Sequence, residues 1–214
     1  MSETKFRRIN NLIGWLLLSV ALVTYGLTVE PTASYWDAGE YISTSAKLQV
    51  GHPPGAPFFQ MMGAVFSMFA SSNESIAIAV NFLSVVSSAF VILFLFWSTT
   101  LFLKKISKKN NFTNDTNILL SSSIGALAFT FSDSFWFNAV ETEVYALAML
   151  FLSATFWCGL RWEKDFNNKR GDKWLLLICF LIGLSFGVHF MAILTIPAIG
   201  MIYFFKKYEK ITIK

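Results

Sequence analysis

Long apolar runs constrain this chain more than any other feature of its sequence. A helix that crosses the hydrocarbon core of a bilayer needs about 20 mostly apolar residues. Residues 76–103 and 174–205 reach or exceed that length, and other runs approach it. Only 14% of the 214 residues are charged, against about 25% in soluble domains. The sequence therefore predicts an all-α integral membrane protein.

The runs predict one transmembrane domain, residues 1–214, with about six spanning helices. The predicted spans are residues 11–29, 76–103, 118–132, 143–160, 174–188 and 191–205. A short loop is expected after residue 132. Residues 57–70 are apolar but too short to span, so we expect them to lie at the interface, within an outer loop of residues 30–75 that carries interfacial helices. A cleaved signal peptide is the alternative for residues 11–29, but no convincing cleavage site follows them.

Basic residues provide a test of this layout, because they collect in cytoplasmic loops. With both chain ends, residues 104–117 and residues 161–173 assigned to the cytoplasm, every lysine and arginine except Lys47 lies inside. The net charge of +4 then reports topology and requires no nucleic-acid partner. Glycosylation-like matches within residues 110–116 fall on the cytoplasmic side. Cys158 and Cys179 lie in apolar runs without metal-ligand or disulfide spacing.

The first candidate site is the pair Asp37 and Glu40 in the outer loop. If a helix begins here, the two side chains share one face, and either carboxylate could act as a general base on a hydroxyl group. The alternative is that they cap the helix by accepting hydrogen bonds from free backbone N–H groups. The spacing alone leaves both interpretations open.

Three groups on the outer side could carry positive charge: Lys47, His52 and His189. His52 lies in Gly-His-Pro-Pro-Gly, a rigid turn by composition that could also be a plain surface bend. His189 is nearly the only ionisable residue in an apolar run, where such residues are costly and indicate function by default. Its alternative is an interfacial histidine that is hydrogen-bonded at a helix end. A phosphate group that leaves during a reaction would need positive charge nearby, and on the outer side these three residues would have to provide it.

The third outer element contains Glu141, Glu143 and Tyr145. Both glutamates precede a predicted helix, where the helix dipole favours negative charge. Because they are two positions apart, they do not share a helical face. We expect only one of them to face a cavity, and the adjacent Tyr145 favours Glu143.

These elements together resemble a known family. The order is a basic amino terminus, one span, Trp-Asp-Ala-Gly-Glu-Tyr, Gly-His-Pro-Pro-Gly-Ala-Pro, Glu-Thr-Glu-Val-Tyr-Ala-Leu and Gly-Leu-Ser-Phe-Gly-Val-His. The chain is similar to the bacterial membrane proteins related to protein O-mannosyltransferases, within the GT-C class of glycosyltransferases. Members of the family are generally longer, so the resemblance covers their N-terminal portion.

The resemblance implies an inverting transferase that moves a mannose-like sugar from a polyprenyl phosphate carrier to a hydroxyl acceptor, such as protein Ser or Thr. Asp37 or Glu40 would be the base, and Lys47, His52, Glu141, Glu143, Tyr145 and His189 would bind substrate. The site would face the periplasm from a bacterial cytoplasmic membrane. No spacing demands a metal, although Asp37, Glu40 and Glu143 could hold a divalent cation. A transporter subunit and a non-catalytic assembly subunit are the alternatives.

Overall fold

The computed structural model describes residues 1–110, 113–168 and 171–208, and within these ranges the chain contains helices and no strand. This confirms the all-α membrane prediction. The α-helices are α1 (Glu3–Leu27), α2 (Ala38–Lys47), α3 (Pro57–Ser67), α4 (Ile76–Asn110), α5 (Asp115–Thr130), α6 (Asp133–Val140), α7 (Val144–Lys164), α8 (Lys173–Ser185) and α9 (Ile196–Lys207). Short 3₁₀ turns at Asn73–Ser75 and Phe190–Thr195 precede α4 and α9.

Four helical segments in the described ranges are long and apolar enough to cross a membrane. They are α1, α4 with its preceding turn, α7, and α9 with its preceding turn. Helices α5 and α6 meet at an angle of 63° and would provide a fifth span if the bent pair crosses as one unit. Helix α8 is apolar but shorter, so the layout with six spans stays a prediction. The prediction of a short loop after residue 132 is wrong, because α6 forms most of that segment.

Helix α4 is the centre of the bundle and contacts α1, α3, α5, α6 and α7. Its buried face combines large apolar side chains with small polar ones: Ser84, Ser87 and Ser88 are at most 2% exposed. Small residues let helix backbones approach closely in membrane proteins, where packing rather than hydrophobicity drives association. The long helix therefore serves as the axis on which the others are placed.

The two ends of the bundle differ in charge. At one end, which we call the basic end, Glu3 pairs with Lys104 at 3.1 Å and with Lys164 at 3.4 Å. These contacts join the start of α1 to the ends of α4 and α7. At the other end, the loop end, lie residues 28–57, 131–143 and 186–190. The structure thus gathers the predicted basic segments at one end and the predicted outer loop at the other, while their sides of a membrane stay a prediction.

The loop end is held to the bundle by the side chain of Asn81 in α4, which is 1% exposed. Its amide donates to the carbonyl groups of Glu30 at 2.6 Å and Thr32 at 3.0 Å, and its oxygen accepts from the hydroxyl group of Thr142. The backbone N–H of Glu30 also donates to the carbonyl of Val140 at 2.9 Å. Residues 30–32 and 140–142 are therefore fixed side by side.

A second anchor lies where α8 ends. The carbonyl oxygen of Gly187 accepts from the backbone N–H groups of Phe58 at 2.7 Å and Phe59 at 3.1 Å, in the first turn of α3. Helix α3 has 11 residues, or about 16 Å at 1.5 Å per residue, well short of the roughly 30 Å hydrocarbon core. It is docked on the bundle and is too short to span the membrane.

Candidate active site

The carboxylate of Asp37 lies at the start of α2 and is not used as a cap. Asp37 precedes the first residue of the helix, yet its side chain makes no capping hydrogen bond. The capping interpretation is therefore wrong for this residue. Trp36 before it has a φ of 58°, in the left-handed region, where a bulky side chain is strained. Such strain is typical of functional sites and here turns the chain into α2.

Glu40 and His52 form the closest polar contacts of the site. Glu40 accepts from the backbone N–H of His52 at 2.6 Å and lies 3.1 Å from its Nδ1. The other ring nitrogen, Nε2, lies 3.9 Å from a carboxylate oxygen of Asp37. Hydrogen bonding to Glu40 raises the pKa of His52, and the backbone hydrogen bond from His52 lowers the pKa of Glu40. The imidazole is thus favoured in its charged form between two carboxylates.

These three residues also have the composition of a metal site. One ligand atom from each of Asp37, Glu40 and His52 lies within 4.8 Å of the others, and all three side chains are exposed. Carboxylate oxygen and imidazole nitrogen suit several divalent cations. However, the hydrogen bond between Glu40 and His52 would have to open before both could bind one ion. Glu143, named with Asp37 and Glu40 as a potential metal ligand, is outside this group.

Glu141 and Glu143 are both buried, at 3% and 6% exposure. Glu141 accepts from the hydroxyl group of Ser34 at 2.5 Å and lines a cavity of about 460 Å³ with Glu30 and Tyr35. We expected Glu143 to face a cavity, but the structure places Glu141 there.

Glu143 instead lies near the start of α2. Burial raises the pKa of Glu143 to about 7, and the negative charges of Asp37 and Glu141 act in the same direction. Its carboxyl group therefore exchanges a proton near neutral pH. Such a perturbed group beside an exposed carboxylate is typical of catalytic sites.

Tyr145 and His189 form a separate pair, with ring centroids 5.6 Å apart. Tyr145 lines an apolar groove of about 450 Å³ that also includes Met149 and Met191. The backbone N–H of His189 donates to the carbonyl of Ser185 at 2.8 Å. In the described part of the chain its buried Nδ1 has no partner. The alternative prediction, a histidine that is hydrogen-bonded at a helix end, therefore describes its backbone N–H but not its ring.

Lys47 is not brought into this group. It ends α2, about 15 Å along the helix from Asp37 at 1.5 Å per residue, and its side chain is exposed.

Sequence reasoning missed Ser34, Thr142 and Gly187, whose partners are distant in the chain. The sequence shows Asn81 as a polar residue in an apolar run, but it does not show which groups the side chain contacts.

The fold and site together define a class: an all-helical membrane protein with clustered carboxylates and an imidazole at one end. The sequence matches the family described as the protein O-mannosyl-transferase TMEM260 N-terminal domain over residues 37–212. The chain belongs to this family. The match begins at Asp37 and includes the other seven predicted site residues.

Two curated relatives support the assignment. The protein O-mannosyl-transferase tmem260 of Dictyostelium discoideum is 29% identical over 158 residues, which are 72% of this chain and 18% of the relative. The protein O-mannosyl-transferase TMEM260 of Mus musculus is 29% identical over 168 residues, 78% of this chain and 22% of the relative. The chain thus spans about a fifth of their length. No solved structure matches it. The resemblance to O-mannosyltransferases is confirmed, whereas a bacterial source stays a prediction.

Proposed function

We propose that this chain forms part of a membrane glycosyltransferase that transfers a mannose-like sugar to a serine or threonine hydroxyl group of a protein. The names of the relatives support the reaction class. The observation that carries the proposal is the carboxylate of Asp37, which is exposed, makes no capping bond and lies 3.9 Å from the His52 ring. An acceptor hydroxyl can therefore reach it.

Asp37 would act as the general base. Its carboxylate takes the proton of the acceptor hydroxyl while the hydroxyl oxygen attacks the anomeric carbon of the sugar. The bond from that carbon to the phosphate oxygen breaks, and polyprenyl phosphate leaves with the electron pair. Direct attack from the opposite face inverts the configuration at the anomeric carbon. General base catalysis of this kind contributes about 10²–10⁴-fold to the rate.

Glu40 would be a positioning residue rather than a second base, since its carboxylate is already bonded to His52. The charged His52 ring would hold Asp37 in place and offset negative charge near the departing phosphate. His189 and Tyr145 would contact the carrier, whose polyprenyl chain would enter from the bilayer along the apolar groove beside Tyr145. Lys47 would contact substrate only at the C-terminal end of α2, away from Asp37.

The loop end would face the exterior. Lysine and arginine side chains are concentrated at the basic end, and such residues collect on the cytoplasmic side. In a bacterial cell this arrangement puts the protein in the cytoplasmic membrane, with both ends inside and the site facing the periplasm. A divalent cation at Asp37, Glu40 and His52 would require the Glu40–His52 bond to open, so we propose that transfer does not depend on one.

The alternative functions are a transporter subunit and a non-catalytic assembly subunit. Conduction requires polar groups that face a path through the membrane. Asn81, the clearest polar residue in a predicted span, uses its amide to hold residues 30–32 and Thr142. It is a structural anchor, which disfavours transport. An assembly subunit would tolerate the loss of the Asp37 carboxylate.

The test is sugar transfer in membranes from a labelled polyprenyl phosphate sugar, measured on this chain and on the longest natural form that contains it. Asp37→Asn should lower transfer by about 100-fold or more, whereas the protein still inserts and folds. Asp133→Asn is the matched control, because Asp133 is an exposed aspartate at the start of α6, also at the loop end. Equal transfer by wild type and Asp37→Asn would contradict the proposed base.

A further inference from the structure

A second polar cavity lies at the basic end of the bundle, between α1, α4 and α7. It has a volume of about 250 Å³. Arg161, in its wall, is 18 positions along α7 from Glu143, or about 27 Å at 1.5 Å per residue. The residues that carry the argument are Arg7, Asn10, Trp97, Trp157, Arg161 and Lys164. None of them belongs to the candidate active site.

Three buried hydrogen-bonding atoms on residues that line this cavity have no partner in the described part of the chain. They are Asn10 Oδ1, Trp97 Nε1 and Arg161 Nε. Buried polar atoms almost always have a partner, so a ligand that reached these atoms would gain hydrogen bonds that the described residues do not provide. Two of the three, Trp97 Nε1 and Arg161 Nε, are donors. A ligand that paired with them would have to supply acceptors.

Neighbouring side chains hold the donors of Trp97 and Arg161 in place. A Cβ atom on Gly14 would lie 2.6 Å from Trp97 Nε1, so the absence of a side chain there lets the indole sit against α1. The Trp97 and Trp157 rings are 5.5 Å apart. The guanidinium carbon of Arg161 lies 5.6 Å from the Trp157 ring, and its Nη2 reaches Asp165 at 3.5 Å. Neither donor can turn freely towards another acceptor.

The residues that line the cavity carry three positive charges, on Arg7, Arg161 and Lys164, against one negative charge on Glu3, so the charge around it favours an anion. Arg7 is exposed and makes no ion pair with a described residue, whereas Lys164 is paired with Glu3 at 3.4 Å. Arg161 presents a planar guanidinium, whose fork of donors matches phosphate oxygens. An anionic group with several acceptor oxygens would satisfy both the positive charge and the unpaired donors.

We propose that this cavity binds the phosphate group of an anionic membrane lipid. Trp97 lies seven residues, about 10 Å, before Lys104 in α4, and Lys164 in the cavity wall pairs with Glu3 at the basic end, so the cavity extends from that end, where lipid headgroups would lie. Beside the cavity, α1 exposes Leu12 and Leu16, at 61% and 56%, which offer an apolar surface for acyl chains. A soluble phosphate ion would make no use of that surface.

The experiment is native mass spectrometry of the purified protein in mild detergent with phosphatidylglycerol, phosphatidylcholine or inorganic phosphate. One phosphatidylglycerol should remain bound and phosphatidylcholine should not. Trp97→Phe keeps an aromatic ring but loses the N–H group, and Arg7→Gln loses an exposed charge. Because a hydrogen bond or ion pair to a charged phosphate is lost, each should weaken phosphatidylglycerol binding about tenfold. Arg8→Gln is the matched control, an exposed neighbour outside the cavity, and should bind like wild type.

Wild-type affinity in both Trp97→Phe and Arg7→Gln would overturn the proposal, because the lipid would then bind elsewhere. Displacement of phosphatidylglycerol by millimolar inorganic phosphate would overturn the lipid assignment in favour of a soluble anion. If Trp97→Phe fails to fold, Arg7→Gln decides the question, since the exposed Arg7 side chain makes no hydrogen bond or ion pair with a described residue.

Discussion

The contact between Gly187 and α3 gives the sharpest test of how the loop end is built. Substitution Gly187→Ala would place a Cβ atom 2.7 Å from the Cβ of Phe58 and 3.2 Å from its backbone nitrogen. Backbone conformation is no obstacle, because Gly187 is not among the residues with positive φ. The added methyl group must therefore push α3 away from the carbonyl that accepts from Phe58 and Phe59.

The expected cost has two parts. Overpacking a close contact costs about 1–3 kcal/mol, and each weakened backbone hydrogen bond adds about 0.5–1.5 kcal/mol. A total of about 3 kcal/mol should lower the unfolding temperature by roughly 10 °C for a chain of this size. Thermal unfolding in mild detergent, followed by tryptophan fluorescence, measures this shift.

Gly183→Ala is the matched control, one turn earlier in the same apolar segment. An added Cβ atom there meets nothing within 4 Å, and alanine is favoured over glycine within a helix by about 1 kcal/mol. Its unfolding temperature should equal or exceed that of wild type. If both variants unfold at the same temperature, the close approach of α3 to Gly187 does not exist as described.

Three further predictions concern the site. Asn81→Ala should lower the free energy of unfolding by about 3 kcal/mol, because it leaves buried groups unpaired. The control Asn138→Ala loses one hydrogen bond within its own helix and should change the free energy of unfolding by about 0.5 kcal/mol or less. Equal shifts of the unfolding temperature would refute the role of Asn81 as an anchor of the loop end. Glu143, with a folded pKa of about 7 and an ordinary value of 4.5, binds a proton only in the folded state between these values. Stability should thus fall as pH rises from about 4.5 to 7, by at most about 3 kcal/mol. Glu143→Gln should flatten this slope in unfolding scans across pH; an unchanged slope would assign it to other groups. Glu40→Gln should lower the pKa of His52 towards its ordinary value, measured by NMR titration of the histidine rings, and a pKa that does not move would show that Glu40 does not hold the ring.

The sequence predicted the parts of the fold that depend on local pattern. Apolar runs of membrane length and the collection of basic residues in a few segments are properties of neighbouring residues, and the structure has both apolar helices of that length and a basic end. Asp37, Glu40 and His52 lie within 16 positions, so one helix and one turn suffice to bring them together. Helix α6 was missed because its polar start ended the apolar run, although Phe135 and Ala139 are spaced to bury one face.

Contacts between distant segments could not be predicted. Ser34 and Glu141 are 107 positions apart, and the hydrogen bond between them depends on how α1, α4 and α7 pack. Only one residue separates Glu143 from Tyr145, yet α7 begins between them. Glu143 is therefore buried towards α2, whereas Tyr145 lines the apolar groove. The sequence gives no indication of which way each faces.

A polar residue within a membrane helix is assigned a functional role by default, and Asn81 shows when that assumption fails. Its two amide hydrogens are bonded to backbone carbonyls and its oxygen accepts from a hydroxyl group, so this buried side chain has no free donor for a solute. The site is instead made by exposed carboxylates and an imidazole on segments that Asn81 and Gly187 fix in place. Substitution of Asn81 should therefore alter the site through the position of the loop, without contact with any substrate.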